Sequence, residues 1–332
     1  MYTQKPLLDL LKICEAFGET EKLKRHIETV ISNVFIFSEH TYKVYKNDND
    51  FFNKTFRNIF GKKERFDFTK RDFAWNKYLN SDIYIGLKPV AVVDEKLSVV
   101  DENSADEYII VMNTFPEEAV LINIFAKNVP SGFDTFRAGE RFALLHQRLP
   151  VLPSEHLDSH VLALNLCEDI FNWVSMQKDR FESGELEKYC VFMRKSVTQN
   201  LSVKNYFRDH LSVSMDIHMG NALFYKGELM LIDTFSPKES WFIKHECCDL
   251  YRLGTDIRVF LGESAWESFR DGYYNKSPEK QCPPDVAIFS TVYASLIMVP
   301  YLYYLGGRYI TQAEKHLNFL RNFFQNECQH RT

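Results

Sequence analysis

Leucines at 7, 8, 10, 11 and 23, set among polar positions, predict a short leading helix over residues 7–25. The period then changes. Residues 29–37 (TVISNVFIF) and 41–45 (TYKVY) are β-branched and aromatic runs on either side of Ser38-Glu39-His40, which predicts a hairpin. Residues 66–79 mix charges with Phe68, Trp75 and Leu79 and read as a helix. Strands are expected at 83–93, 97–100 and 108–112, the last two joined by the acidic turn DENSADE. Beyond Pro116 the pattern is mostly helical, at 119–127, 135–147, 156–178 and 185–210, with the proline-bearing stretch 149–155 between. Two short strands, 222–225 and 229–232, turn at Lys226-Gly227, and helices resume near Cys247. This is an α+β pattern: a small antiparallel sheet with one helix in residues 1–115, then a larger helical part in 116–332, with the seam near residues 113–117.

Residues 286–307 (VAIFSTVYASLIMVPYLYYLGG) hold 22 positions without a charge, enough to span a bilayer. Ser290, Thr291, Ser295, Pro300 and the tyrosines at 293, 301, 303 and 304 suit a helix buried in protein better than one in lipid. A buried helix is therefore expected and a membrane partner is not, with a single span as the competing reading. Composition adds exclusions. The net charge of −5 argues against a nucleic-acid partner, since phosphate contacts require a surplus of Lys and Arg. The seven cysteines are scattered without a C-x-x-C pair, which points to reduced thiols and a cytoplasmic protein. Lys5, Asp9 and Lys12 interrupt the apolar run that a signal peptide would need. His156 and His160 stand at helical spacing but lack a third ligand, so no metal centre is expected there.

Chemistry concentrates in residues 214–235, SMDIHMGNALFYKGELMLIDTF. Asp216 and Asn221 are five residues apart on a stretch that Gly220 keeps from being periodic, and the strand LMLI delivers Asp233 after Ile232. Phosphoryl transfer needs such a set: one carboxylate to take the proton of the attacking hydroxyl, and an amide oxygen with a second carboxylate to hold Mg²⁺. An acid ending an apolar strand also calls for a cation nearby.

D-I-H-M-G-N followed by L-I-D resembles the catalytic loop and metal-binding strand of the aminoglycoside phosphotransferase-like family of the protein-kinase-like superfamily, where H-G-D-x-H-x-x-N precedes a strand ending in I-D or F-D. E-T-V-I-S-N-V-F-I-F, T-Y-K-V-Y-K and W-N-K-Y-L-N-S-D-I-Y-I-G-L are similar to a bacterial subgroup of that family with no assigned substrate. Cys248-Asp249-Leu250-Tyr251 resembles its D-L-x-x-L stretch, so the resemblance runs from about residue 26 to 260. It implies a bilobal kinase fold, with ATP and Mg²⁺ as cofactors. Asp216 becomes the catalytic base, and Asn221 and Asp233 the metal ligands. Lys43 becomes the α/β-phosphate contact, and Asp72 its acidic helix partner. The linker 111–118, with Met112 and Asn113, would offer backbone groups to adenine, and the 29–32 turn would stand in for a glycine-rich loop.

The residues themselves leave some choices open. Lys46 competes with Lys43, although strand alternation sets it on the opposite face. Glu64 and Asp67 compete with Asp72. His218 reads as a packed loop residue donating to backbone, Asp249 as a helix cap or a brace for the catalytic loop, and His146 and Arg148 as parts of the fold. Ser214-Met215 stands where the family has His-Gly, which removes the imidazole that braces the loop. Asp72 stands where Glu is usual, and Thr follows Asp233. The function expected is transfer of the γ-phosphate to a hydroxyl of a small molecule. An acidic acceptor pocket from residues 155, 158, 168 and 169 would suit an aminoglycoside. A nucleotide-binding pseudokinase and a protein kinase are the alternatives; the fifteen residues between Asp233 and Asp249 contain no A-P-E, which disfavours the latter.

Overall fold

The computed structural model describes residues 4–13, 17–19, 22–126, 133–150, 152 and 158–328. Cys14, Glu155 and His156 lie outside them. Two compact units emerge, Met1–Ala119 with Met230–Lys238, and Val120–Leu229 with Glu239–Thr332. The edge at residue 119 lies near the expected seam, but a division at residue 115 does not include the nine-residue return that carries Asp233.

The first unit opens with α1 (Lys5–Leu11), then β1 (Arg25–Glu28), β2 (Ser32–Ile36), β3 (His40–Tyr45), α2 (Asp50–Thr55), α3 (Lys62–Leu79), β4 (Tyr84–Val93), β5 (Lys96–Val99) and β6 (Glu107–Asn113). The strands form one antiparallel sheet in the order β1-β2-β3-β6-β4-β5. Alternation on β3 puts Tyr42 and Val44 into an apolar core with Leu7, Leu11, Phe35 and Val111, and turns Lys43 and Tyr45 to the other face. That second face is covered by α3, whose buried stripe is partly polar: Arg65, Phe68, Thr69, Asp72, Trp75, Asn76 and Leu79. Arg65 gives two parallel hydrogen bonds, at 2.8 and 2.6 Å, to the buried Glu107 carboxylate of β6. Glu64 and Asp67, the competitors of Asp72, are exposed.

Three elements differ from expectation. The leading helix stops at Leu11, and residues 25–28 form an edge strand instead; its side chains are mostly exposed, so it carries no apolar alternation. α2 starts where the Asn49 side chain accepts the Phe52 N–H at 2.7 Å, a cap with too short an apolar run behind it to be predicted. The expected helix 185–210 is two helices, because Asn200 caps the second through the Val203 N–H.

The second unit contains α4 (Leu121–Ala126), α5 (Thr135–His146), α6 (Ser159–Ser175), α7 (Glu185–Gln199), α8 (Leu201–Asp209), β7 (Leu211–Val213) and β8 (Ala222–Tyr225). The chain passes back into the first unit within β9 (Glu228–Leu231). After the return come β10 (Ile243–His245), α9 (Cys248–Leu261), α10 (Glu263–Lys276), α11 (Pro284–Leu305) and α12 (Ile310–Glu327). β7 and β10 pair antiparallel, Val213 opposite Ile243, and are too short for periodicity to reveal. Gly139 of α5 and Gly272 of α10 let those helices pass at backbone contact: a Cβ at either would fall within 2.0 Å of a carbonyl oxygen on the other helix.

α11 is the uncharged segment, long and apolar enough to cross a membrane by length and composition, yet 83% of its most apolar window is buried within the protein. The hydroxyls of Ser290, Thr291 and Ser295 donate to carbonyls one turn back, and Trp173 Nε1 donates to Ile297 O, just before Pro300 interrupts the ladder.

Candidate active site

The first unit gathers Lys43, Asp72, Asp233 and Tyr84. Lys43 is 3% exposed; its ammonium donates to Asp233 Oδ1 at 2.7 Å, stands 3.8 Å from Asp72 Oδ2 and lies 4.7 Å above the Tyr45 ring. Burial works against its charge, but Asp233 and Asp72 outweigh that and hold the ammonium above its ordinary value. Burial pushes Asp72 up to about 6; Lys43 offsets part of this and the Asp233 charge adds to it. The one-methylene shortening at Asp72 has a visible consequence: the ion pair is long, and Lys43 sits closer to the strand-end acid. Lys46 instead bonds Glu28 and Thr29 O, both at 2.7 Å.

Asp233 is backed by Thr234 in a way the sequence did not signal. Thr234 N donates to Asn76 Oδ1 at 3.0 Å, Trp75 Nε1 donates to Thr234 Oγ1 at 3.2 Å, and Asn76 Nδ2 donates to Asp72 Oδ1 at 2.9 Å. The helix carrying Asp72 is thereby bonded to the turn carrying Asp233. Asp233 has φ 52°, a left-handed conformation that costs a non-glycine residue on the order of 1 kcal/mol and is tolerated best by Asn and Asp.

The 29–32 turn is closed by its own side chains: Ser32 N donates to Thr29 Oγ1 at 2.9 Å, and Thr29 N to Ser32 O at 2.8 Å. The hinge expectation needs correction. Met112 lies within a central strand, paired with Thr41 on one side and Tyr84 on the other. Asn113 N donates to Ile83 O at 2.8 Å and Thr114 N to Glu39 O at 2.8 Å. The sheet extends one residue further than 108–112 suggests, so these amides are already committed to it.

The second unit gathers the loop 214–221. Asn221 Nδ2 donates to Asp216 O at 2.7 Å, which fixes the spacing of the pair and directs the amide oxygen as the end able to meet a cation. Asp216 faces the buried Arg252, whose Nη2 stands 3.7 Å from Oδ1. The loop is braced at both ends by wholly buried acids of α9. Asp249 accepts from Ser214 Oγ at 2.5 Å and Met215 N at 2.8 Å. Asp256 accepts from Met219 N at 2.7 Å and touches His316 Nε2 of α12 at 3.1 Å. Replacement of His-Gly by Ser-Met therefore does not leave the loop unbraced; the serine hydroxyl and the following amide share one carboxylate.

Burial raises the pKa of Asp249, opposed by Lys244, those two hydrogen bonds and Arg252. Burial also pushes His146 down to about 3, so its 3.7 Å contact with Asp249 involves a neutral imidazole. His218 Nδ1 accepts the Gly220 N–H at 3.0 Å, and a Cβ at residue 220 would meet the imidazole at 2.8 Å. Of the acids expected to line an acceptor pocket, Asp158 caps α6, Glu168 pairs with Arg194, and Asp169 accepts from Ser240.

Tyr84, Asn76, Thr234, Arg252, Asp256 and His316 are the residues of the two sets that sequence reading missed. Among the described residues no three of His, Cys, Asp and Glu cluster as a metal cage. Mg²⁺ needs none: it takes hard oxygen ligands, keeps waters, and uses one or two protein groups beside substrate phosphates. A carboxylate held by Lys43 and Tyr84, and an amide oriented by its nitrogen, are donors of that kind.

Among solved structures, the chain resembles a choline/ethanolamine kinase family protein from Mesorhizobium loti, with TM-score 0.54 and 12% identity over 99% of this chain and 96% of that one. It also resembles choline kinase from Cryptosporidium parvum, with TM-score 0.52 and 10% identity over 97% and 95% of the two chains. A thermostable mutant of an aminoglycoside phosphotransferase matches with TM-score 0.49 and 10% identity over 98% and 100%. No family model matches the sequence, and the curated proteins contain no match to it. The chain thus has the fold of the small-molecule kinases of the protein-kinase-like superfamily, an N-terminal antiparallel sheet followed by a mostly helical part.

Proposed function

We propose that the protein is an ATP- and Mg²⁺-dependent kinase that transfers the γ-phosphate to a hydroxyl of a small molecule in the cytoplasm. The observation that carries this reading is a buried lysine shared between a helix acid and a strand-end acid, Lys43 with Asp72 and Asp233, on the fold of choline kinases. Lys43 binds the triphosphate, exchanging its contact with Asp233 for phosphate oxygens of the same sign of charge. Asp216 orients the acceptor hydroxyl and takes its proton. Ser214, Met215 and Met219 are fixed from below by α9, so that base is held at a set position. Asn221 and Asp233 would hold Mg²⁺, which when bound neutralises phosphate charge.

MgATP is expected to raise the melting temperature of the wild type and not that of Asp233→Ala; no shift in either protein would sink the reading. Asp216→Asn is expected to lower transfer by roughly 10³-fold, within the range of general-base catalysis, with nucleotide binding retained. Turnover that survives this change would take the base role from Asp216, and a wild type that binds MgATP without any turnover would favour the pseudokinase reading. The acceptor is to be sought among choline-like alcohols, sugars, aminoglycosides and nucleosides, beginning with the first because two similar folds are those of a choline/ethanolamine kinase family protein and a choline kinase.

A further inference from the structure

We propose that Tyr84 is a positioning residue for Asp233, setting both the backbone and the carboxylate of the side chain assigned above to the metal; only its catalytic consequence rests on that assignment. Tyr84 begins β4 and is wholly buried. The β4–β6 register slips at this point: Tyr84 faces Met112 and Gly86 faces Val111, so Ile85 is an extra residue in the strand. A bulge of this kind redirects the side chains beside it. Here Ile85 is turned outward, 38% exposed, while the Tyr84 phenol runs inward to Asp233.

The phenol oxygen meets one residue twice. It accepts the Asp233 N–H at 2.9 Å and donates to Asp233 Oδ1 at 3.0 Å. A single hydroxyl therefore closes a ring through the main chain and the carboxylate of the same aspartate. The ring encloses the left-handed φ of 52°, so relaxing Asp233 to an extended conformation would break both bonds at once. Lys43 donates to the same Oδ1 at 2.7 Å. The two donors are not equivalent. Lys43 carries charge and stands between two carboxylates, so a bound phosphate would compete with them for it. Tyr84 is a neutral phenol fixed in the buried end of β4, so an arriving anion has no charge on it to attract. When Lys43 turns to a nucleotide, Tyr84 still holds both the backbone and the carboxylate of Asp233.

The test is Tyr84→Phe in the full chain, which keeps the ring and removes one oxygen. Amide hydrogen exchange reads the clamp without catalysis. The Asp233 amide is expected to exchange about tenfold faster in the variant, as loss of one buried hydrogen bond implies, while Val111 and Ile109 keep their rates. Lys43→Met removes the other donor to Oδ1 and should leave the Asp233 amide slow. Metal dependence reads the consequence: the Mg²⁺ concentration for half-maximal stabilisation by ATP is expected to rise about tenfold, as for other residues that orient a metal ligand. Unchanged exchange at Asp233, acceleration spread evenly over the sheet, or an unfolded variant would each overturn the proposal. A wild type with no metal-dependent response to ATP would instead sink the kinase reading, and the exchange result would still decide the clamp.

Discussion

The two units treat buried charge in different ways. In the first, one cation serves two carboxylates, and Lys43 lies between Asp233 at 2.7 Å and Asp72 at 3.8 Å. In the second, Asp249 and Asp256 are held by main-chain amides and a hydroxyl, and the histidine beside Asp249 is neutral. Ionic partners can be exchanged for others of the same sign, whereas amides cannot leave their chain. The first arrangement suits a site whose charges are redistributed when an anion arrives. The second suits a scaffold that must not move while that happens.

The largest expected effect follows from the second arrangement. Asp249→Ala removes the short bond of the Ser214 hydroxyl and leaves the buried Met215 amide without its acceptor, a loss of about 3 kcal/mol, read by urea unfolding. Lys43→Met should cost less, about 2 kcal/mol, although removing one partner of a buried pair commonly costs more. Asp72 can relieve the strain by taking up a proton, since its pKa already stands near 6. The cost should shrink further at pH 5, and adding Asp72→Asn should recover most of it. Equal losses for Asp249→Ala and Lys43→Met, independent of pH, would erase the distinction between the units.

Acidification gives a third contrast. His146 and His245 are pushed from 6.5 down to about 3 by burial, so between those values the folded second unit binds fewer protons than the unfolded chain. Stability from these groups is present above pH 6.5 and is lost as the pH falls below it. Asp72, raised from 3.8 to about 6, works the other way: its folded form binds more protons, so its penalty fades as the pH drops through 6. Hydrogen exchange at pH 7 and pH 5 should show α5 and β10 losing protection before β3 and α3. The smallest effect is expected from His316→Asn, about 1 kcal/mol, with Met219 as the amide whose exchange quickens most.

The elements were legible where residue type and period agree. Alternation alone put Lys43 and Tyr45 on one face of β3, and a helical stripe separates buried Asp72 from exposed Glu64 and Asp67 once a neighbour is known to cover it. The spacing of Asp216 and Asn221 marked a loop in which the Asn221 side chain does bond the Asp216 backbone. What was not legible depends on pairs far apart in sequence. Tyr84 and Asp233 are 149 residues apart, and Asn76 and Thr234 are 158 apart. No local rule distinguishes Tyr84 from the apolar residues of its strand, because its role depends on a register slip against β6. Polar residues such as Asn76 and Asp256 lower the apparent amphipathicity of the helices that bury them, so the positions that organise the site look like solvent-facing ones. Met112 and Asn113 failed for the opposite reason, as a boundary placed one residue early exposes amides that the sheet in fact consumes.

The return of Met230–Lys238 to the first unit has a consequence for how such a gene can be cut and recombined. A fragment ending at residue 119 would carry Lys43 and Asp72 but would lose Asp233, the Thr234 that bonds Trp75 and Asn76, the Leu231 carbonyl that Asn80 holds, and the Phe235 ring packed on Phe68. Nor could a donor supply the first unit as one segment in a chimera, since nine residues of that unit are encoded inside the helical part. The unit that carries Lys43 and Asp72 and the unit that carries Asp216 are thus interleaved in one reading frame, so neither can be inherited as one uninterrupted segment.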